Sequence, residues 1–150
     1  AVCSALLVHD DAVAMARREA VLAAHPEGQR RFYRFRDDRY SNCNLYGLAG
    51  NTALGAAEIF RGGGQFARNA GRIVEAFGLL NLVLLRTRLV TLSAGLGRIS
   101  RRFGLSIAPV ILDDGSQAID VDNDRTYTIV HQLLELRSRP APPPPCREAA

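Results

Sequence analysis

Near the start of the chain, the apolar positions change from a continuous run to a helical repeat. Residues 2–8 form a short apolar run, which predicts a buried strand. Residues 11–24 are rich in alanine, a strong helix former, and two aspartates precede them. Because aspartate is a favoured N-cap residue, we expect a helix over 11–24 that is capped by Asp10 or Asp11.

The next segment has the pattern of a β-hairpin. Residues 32–36 follow the two-residue repeat of a strand. Asp37 and Asp38 favour a turn, and residues 40–48 predict the returning strand.

The middle of the chain predicts helices. We expect them over residues 52–60 and 65–77, with a hinge at the three glycines 62–64. Residues 79–87 are apolar on nearly every face, which predicts a helix that is buried or lies at an interface.

A helix, a strand and a second helix are predicted towards the end. Residues 91–103 carry an apolar stripe at helical spacing, and Gly104 is placed to terminate that helix. Residues 105–112 predict a buried strand, and residues 124–137 predict an amphipathic helix.

The alternation of strands and helices predicts an α/β fold. With 150 residues, of which 47 % are hydrophobic, the chain is long enough to bury a core. We expect one domain over residues 1–139. Residues 140–150 contain five prolines and predict a disordered tail.

Two carboxylates, Asp120 and Asp122, follow the strand predicted at 105–112 and precede the last helix. The carboxyl end of a strand is where α/β sheets bind ligands, and carboxylate oxygens suit Mg²⁺. The alternative is an ordinary strand-to-helix turn in which an aspartate caps the helix. Asn123 or Asp124 could serve as that cap instead, which would leave Asp122 available for a metal ion.

Four motifs follow one another over about two thirds of the chain: RFRDDRYSNCNLY at 34–46, FRGGGQF at 60–66, RRFGL at 101–105 and AIDVDND at 118–124. In this order and spacing they resemble the C-terminal half of the MobA-like nucleotidyltransferases. That family includes enzymes that attach GMP or CMP to molybdopterin, and relatives that act on sugar phosphates and cobinamide.

The resemblance implies an enzyme, its fold and its reaction. The fold would be part of a nucleotide-diphospho-sugar-transferase-like sheet of Rossmann type, with flanking helices. In the reaction, a phosphorylated small-molecule acceptor attacks the α-phosphorus of a nucleoside triphosphate, GTP or CTP, and pyrophosphate leaves. The resemblance also implies Mg²⁺ as cofactor, with Asp122 as a metal ligand and Asp120 as the weaker candidate.

Candidate acceptor contacts lie on the hairpin and beyond it. By resemblance, Asn44 lines the acceptor pocket, and Asn42 is the second choice. Arg34 and Arg36, with the neighbouring Arg39, flank the same hairpin and suit an anionic acceptor. Arg68 falls where relatives carry a cation near the substrate. The alternative for the asparagines and arginines of the hairpin is a solvated surface.

The nucleotide-binding part of the family has no counterpart in this chain. The family carries a Gly-rich loop followed by an arginine and a lysine, whereas this chain has no lysine. We therefore expect the chain to hold the acceptor-side half, with the N-terminal nucleotide-binding half absent. No complete catalytic set is expected within it, and we expect it to be inactive alone.

Two other classes of function remain open. The apolar segment 79–85 could make the chain a non-catalytic binding or oligomerisation module. The net charge of +4 and the 19 basic residues, all arginine, suggest nucleic-acid binding as a weaker alternative. No zinc finger, helix-turn-helix or aromatic stacking platform accompanies the arginines, so nucleic acid is not the expected partner.

The chain has features expected of a cytoplasmic protein. No apolar run reaches the roughly 18 residues of a membrane span, and no membrane partner is expected. The three cysteines have no metal-binding spacing and an odd count, which favours a reducing compartment.

Overall fold

The structure, a computed structural model that describes residues 1–51, 53–54 and 78–138, contains a four-stranded mixed sheet. Its strands are β1 (Asp11–Arg17), β2 (Tyr33–Arg34), β3 (Arg39–Leu48) and β4 (Ile107–Leu112), in the order β2-β3-β1-β4. β1 pairs antiparallel with β3 and parallel with β4. The sheet and its flanking helices confirm the predicted α/β class.

The described helices fall into two units. Residues 1–119 form the first unit, which contains the sheet. Its helices are α1 (Val2–Ala5), α2 (Arg18–Ala24), α3 (Leu79–Arg86), α4 (Leu92–Phe103) and a 3₁₀ helix (Gly115–Ala118). The second unit starts at Asp120 and contains α5 (Asp124–Ser138). None of the described helices combines the length and apolarity that a membrane span requires.

The strand predicted at 2–8 is wrong. Val2–Ala5 is a short helix, and the side chains of Leu7 and Val8 are 84 % and 77 % exposed. A short apolar run fits a strand and a helix equally well, so its length and period could not decide. The first strand of the sheet is β1, which lies between β3 and β4.

The single helix predicted over 11–24 is wrong in its first half. Residues 11–17 form β1, and the helix begins only at Arg18. Ala12, Ala14 and Ala16 are almost completely buried in the sheet. Alanine has only a weak intrinsic preference for helix, and burial between two neighbouring strands outweighs it here.

The predicted aspartate cap is absent for the same reason. Asp10 precedes a strand, and its Oδ2 accepts a hydrogen bond from the backbone N–H of Ser106 at 2.8 Å. This bond ties the start of β1 to the residue before β4.

The predicted hairpin is confirmed, with a first strand shorter than expected. Tyr33 pairs with Tyr40 and Arg34 with Arg39. The Phe35 N–H donates to the carbonyl oxygen of Asp38 at 2.9 Å and closes the turn. The returning strand β3 runs to Leu48, as predicted.

The later elements agree closely with the sequence. The Oγ1 of Thr91 accepts a hydrogen bond from Ala94 N at 3.2 Å and caps α4, and Gly104 ends it at φ +65°. Strand β4 and helix α5 lie within the predicted ranges to within two residues.

Helix α3 forms where it was predicted, and of the two predicted settings, buried or at an interface, it is not buried. Leu79 and Leu80 are about two thirds exposed. The helix predicted at 65–77, the glycines 62–64 and the tail 140–150 lie outside the described residues, as does nearly all of the helix predicted at 52–60.

The core connects the sheet to α4. Met15 of β1, Tyr40 of β3 and Leu92 of α4 are buried against one another. The partly buried hydrophobic residues packed on them are Val13, Phe35, Leu96 and Ile111. The hairpin turn is thereby attached to the core by residues on either side of it, Phe35 and Tyr40.

Candidate functional site

The carboxyl ends of β1 and β4 meet at one edge of the sheet. The two strands are parallel, and Ala16 lies opposite Leu112. Arg17, the last residue of β1, pairs with Tyr40 at the start of β3, so the hairpin turn lies at this edge too. This is the side of an α/β sheet on which ligands bind.

A cleft of about 500 Å³ opens between α2 and the hairpin turn. We call it the arginine cleft and define it by its lining residues, which are Arg18, Glu19, Leu22, Phe35, Arg36, Asp37, Asp38 and Arg39. Its volume lies within the range of roughly 300–1,000 Å³ that is typical of small-molecule sites.

The two aspartates of the cleft are engaged by the scaffold. Oδ2 of Asp37 accepts a hydrogen bond from the Tyr40 hydroxyl, and Oδ1 accepts one from Leu92 N, both at 3.0 Å. Oδ1 of Asp38 accepts from Arg39 N at 2.6 Å, and Oδ2 lies 3.9 Å from the Arg17 Nε. All four carboxylate oxygens of the turn therefore have partners within the protein.

The Tyr40 hydroxyl stays a hydrogen-bond donor over the whole physiological range. Burial, then the hydrogen bond to Asp37 and the negative charges of Asp37 and Asp38, raise the pKa of Tyr40 to about 12, against an opposing effect of Arg17. A protonated phenol is what the Asp37 carboxylate requires as a partner.

The three arginines of the cleft differ from its two aspartates in their partners. The Arg18 guanidinium carbon lies 5.9 Å from the centroid of the Phe32 ring. Within the described part of the chain, no carboxylate forms an ion pair with Arg18, Arg36 or Arg39. Their guanidinium groups are thus available for an anion, whereas the oxygens of the neighbouring aspartates already have partners within the protein.

The structure brings only part of the predicted acceptor set together. Arg36 and its neighbour Arg39 line the cleft, while Arg34 is exposed on β2 and is not part of the lining. Arg68 lies outside the described residues. Arg18 and Glu19 were missed, because a helix predicted over 11–24 concealed the strand end at which they lie.

Asn42 and Asn44 shape a bulge in β3. Opposite Val13 and Met15 the register of β3 shifts, and Asn44 has φ +51°. The Asn42 side chain accepts from Asn44 N at 3.1 Å and donates to Asn44 Oδ1 at 2.9 Å. It also donates to the Tyr46 hydroxyl. Asparagine adopts positive φ more readily than most residues, so the bulge gives a structural reason for asparagine within this strand.

Asp120 and Asp122 belong to the second unit, where Asn123 caps α5. Oδ1 of Asn123 accepts from Thr126 N at 3.2 Å, and Oγ1 of Thr126 accepts from Asp122 N at 3.0 Å. The Asp122 side chain is exposed, and that of Asp120 is half-buried. Asn123 therefore caps α5, and Asp122, for which capping was the alternative role, does not.

The described residues do not provide a complete metal cage. Among them, no group of three or more His, Cys, Asp or Glu side chains is arranged to hold a metal ion. A single carboxylate such as Asp122 fits Mg²⁺ only in the manner in which phosphates and water supply most of the ligands.

No known family model matches the sequence, and no curated protein does. One solved structure is similar in fold: a hypothetical transferase from Thermus thermophilus, with a TM-score of 0.70 and 19 % sequence identity. The alignment covers 83 % of this chain and 54 % of that one, so the chain spans about half the length of that structure. At this identity the similarity shows the fold.

The chemistry available at the sheet edge is the binding of an anion. Guanidinium groups form paired hydrogen bonds to phosphate or carboxylate oxygens, and three of them border one cleft here. Neither a nucleophile nor a general base is needed for such a role.

Proposed function

We propose that this chain is the acceptor-side part of a Mg²⁺-dependent, MobA-like nucleotidyltransferase. The enzyme would transfer a nucleoside monophosphate from GTP or CTP to a phosphorylated small molecule, with release of pyrophosphate. The acceptor phosphate attacks the α-phosphorus, and the bond from that phosphorus to the pyrophosphate oxygen breaks.

The observation that carries the proposal is the arginine cleft at the carboxyl edge of the sheet. A phosphorylated acceptor is an anion, and the cleft has arginines without an ion-pair partner among the described residues, where an α/β sheet binds its ligand. The fold supports the same conclusion, since the structurally similar Thermus thermophilus protein is described as a hypothetical transferase.

Each predicted site residue has a role in this proposal. Arg36 attracts the acceptor phosphate from the cleft, and the resemblance adds Arg34 and Arg68 as further cations and Asn44 and Asn42 as amide contacts to the acceptor. Asp122 contributes one oxygen ligand to Mg²⁺, with Asp120 as the second candidate. The ion, when bound, offsets the negative charge of the phosphates. With one or two carboxylates, such a site depends on phosphate oxygens for its remaining ligands.

The exposed surface of α3 favours a second candidate function, self-association. Leu79 is 67 % exposed and Leu80 66 %, and Val83 is about half exposed. Clustered exposed apolar side chains are typical of protein interfaces. A chain that sediments as a monomer at high concentration would exclude this alternative.

The transferase proposal is tested on the polypeptide encoded by the complete reading frame that contains this chain. Pyrophosphate release is measured with GTP or CTP, a panel of phosphorylated acceptors, and either Mg²⁺ or a chelator. We expect release that requires both Mg²⁺ and an acceptor. Absence of release with every nucleotide and acceptor would overturn the proposal.

Matched variants test the individual roles. Asp122→Asn should lower kcat by at least about 10-fold, because a metal ligand loses its charge. Asp124→Asn, at the first position of α5, is the control and should retain activity. Asn44→Gly preserves the positive-φ conformation and removes the amide, so we expect the fold to persist and the KM for the acceptor to rise.

A further inference from the structure

We infer that Arg18, Arg36 and Arg39 together form a binding site for one phosphate group of a small molecule, whose carbon skeleton lies against Phe35 and Leu22. The inference extends the proposed function by adding Arg18 and Arg39 as specificity-determining residues and by naming the apolar wall of the cleft.

The guanidinium groups of the three arginines in the lining of the cleft are not the partners of its two aspartates. Asp37 accepts hydrogen bonds at both oxygens, from Tyr40 and Leu92, and Asp38 accepts one from Arg39 N and lies 3.9 Å from the Arg17 Nε. Within the described chain, Glu19 remains as an unpaired acid against the three arginines. Among the described residues, a dianionic phosphate would therefore meet three guanidinium groups that have no carboxylate partner.

The backbone of the turn fixes the two arginines on the hairpin in place. The Arg36 N–H donates to the Val90 carbonyl oxygen at 2.9 Å, which ties the hairpin to the residues before α4. The Arg39 N–H donates to Asp38 Oδ1 at 2.6 Å. Since these anchors are made by backbone groups, the guanidinium groups remain free to bind, and little backbone ordering is required on binding.

Arg18 borders the cleft from the opposite side, at the start of α2. Its guanidinium group stacks near the Phe32 ring at 5.9 Å, an arrangement that holds the side chain without neutralising its charge. The cleft is thus bordered by cations on two elements, and a phosphate group has enough oxygens to bind guanidinium groups from both.

An apolar wall completes the cleft. Phe35 and Leu22 are half-buried and belong to the lining, and Phe35 packs on the core. Its ring lies 5.9 Å from that of Tyr40 in an edge-on arrangement, which restricts its movement. A ligand with a flat or apolar body next to its phosphate would cover this wall, so its affinity should exceed that of phosphate alone.

The test is calorimetric titration of the full chain with three probes: phenyl phosphate, inorganic phosphate and benzyl alcohol. We expect phenyl phosphate to bind best, inorganic phosphate more weakly, and benzyl alcohol not at all. Equal affinity for phenyl phosphate and inorganic phosphate would overturn the role of the apolar wall. Benzyl alcohol binding as tightly as phenyl phosphate would overturn the phosphate site.

Single substitutions locate the binding. Arg18→Gln, Arg36→Gln and Arg39→Gln should each weaken phenyl phosphate binding about 10-fold, the effect of losing a charge-assisted hydrogen bond. Glu19→Gln should strengthen it a few-fold by removing a like charge. Arg30→Gln changes an exposed arginine outside the lining and should have no effect. Circular dichroism confirms that each variant is folded.

The outcomes separate this inference from the proposed transferase. Phenyl phosphate binding that depends on the three arginines, without pyrophosphate release by the complete polypeptide, would support the phosphate site and remove the transferase. Pyrophosphate release with an acceptor KM unchanged in Arg18→Gln and Arg39→Gln would support the transferase and overturn the phosphate site. An equal loss of binding in Arg30→Gln would show a general charge effect and overturn the site.

Discussion

The hydroxyl of Tyr40 donates a hydrogen bond to Oδ2 of Asp37 at 3.0 Å, and the other oxygen of the same carboxylate accepts from Leu92 N at 3.0 Å. One side chain therefore joins the hairpin turn, strand β3 and the first residue of α4. The turn that carries Arg36 and Arg39 depends on this junction for its position.

Replacement of Asp37 tests the junction. Asp37→Ala removes two hydrogen bonds to a charged acceptor and leaves the buried Tyr40 hydroxyl without its partner, so we expect a loss of about 2–4 kcal/mol in the free energy of unfolding. Urea denaturation measures it. Asp113→Ala, at an exposed turn, is the control and should change stability by less than about 0.5 kcal/mol. Equal stability of the two variants would show that the junction contributes nothing.

The raised pKa of Tyr40 predicts a loss of stability in alkali. A free tyrosine loses its proton near pH 10, whereas Tyr40 holds its proton to about pH 12 in the fold. The contribution of protonated Tyr40 to the free energy of unfolding is on the order of 2 kcal/mol. It is fully present below pH 10 and disappears as the pH rises to 12. Denaturation at pH 8 and pH 11.5 should show this decline in the native chain and a smaller one in Tyr40→Phe. Parallel declines in the two chains would contradict the assignment.

Asp11 is predicted to destabilise the fold at neutral pH. It is buried, its Oδ1 has no hydrogen-bond partner among the described residues, and burial together with the charge of Asp10 raises the pKa of its carboxyl group. With the folded pKa above the unfolded one, the favourable contribution exists at low pH and is lost as the pH rises through the folded pKa. Asp11→Asn should therefore gain stability relative to the native chain between pH 3 and pH 7, on the order of 1 kcal/mol at pH 7.

The neighbouring aspartate provides the control for that measurement. Asp10 Oδ2 accepts a hydrogen bond from Ser106 N, so Asp10→Asn should lower the stability at pH 7 by about 1 kcal/mol. Two adjacent aspartates are thus expected to respond to the same substitution in opposite directions. A gain in both variants would point to general charge reduction instead.

Two glycines are predicted to differ sharply when replaced by alanine. A Cβ at Gly115 would lie 2.1 Å from the Ala20 carbonyl carbon, so Gly115→Ala must push the 3₁₀ helix away from α2, at a cost of at least about 3 kcal/mol. At Gly97, within α4, the added carbon has no described atom within 4 Å apart from its chain neighbours and the backbone of its own helix. Gly97→Ala should therefore stabilise the chain by about 0.5–1 kcal/mol. Thermal unfolding of both variants tests the contrast.

The elements with strong end signals could be predicted from the sequence. Thr91 and Gly104 mark α4 at both ends, and Asp37 with Asp38 mark the turn of the hairpin. These residues act through contacts within a few positions of themselves, so the local sequence contains the information.

The two errors at the start of the chain have a different origin. Whether residues 11–17 form a strand depends on pairing with Ile107–Leu112, far away in the sequence, and alanine itself favours a helix. The same error hid Arg18 at the end of a strand. The cleft also depends on which carboxylates are already bonded, as Asp37 is to Leu92, and the order of residues does not show that.

Because β1 pairs with β4, the edge of β1 stays unpaired during synthesis of the residues between the two strands. Asp10 and Ser106, whose hydrogen bond opens this pairing, are 96 residues apart. At a synthesis rate of about 5–20 residues per second, β1 emerges roughly 5–20 seconds before its parallel partner exists. Its pairing with β3 can form early, but its other edge stays open throughout that interval. Strand β1 is thus made well before its parallel partner, and a chain stalled before residue 107 would present the unpaired backbone edge of β1 to its neighbours.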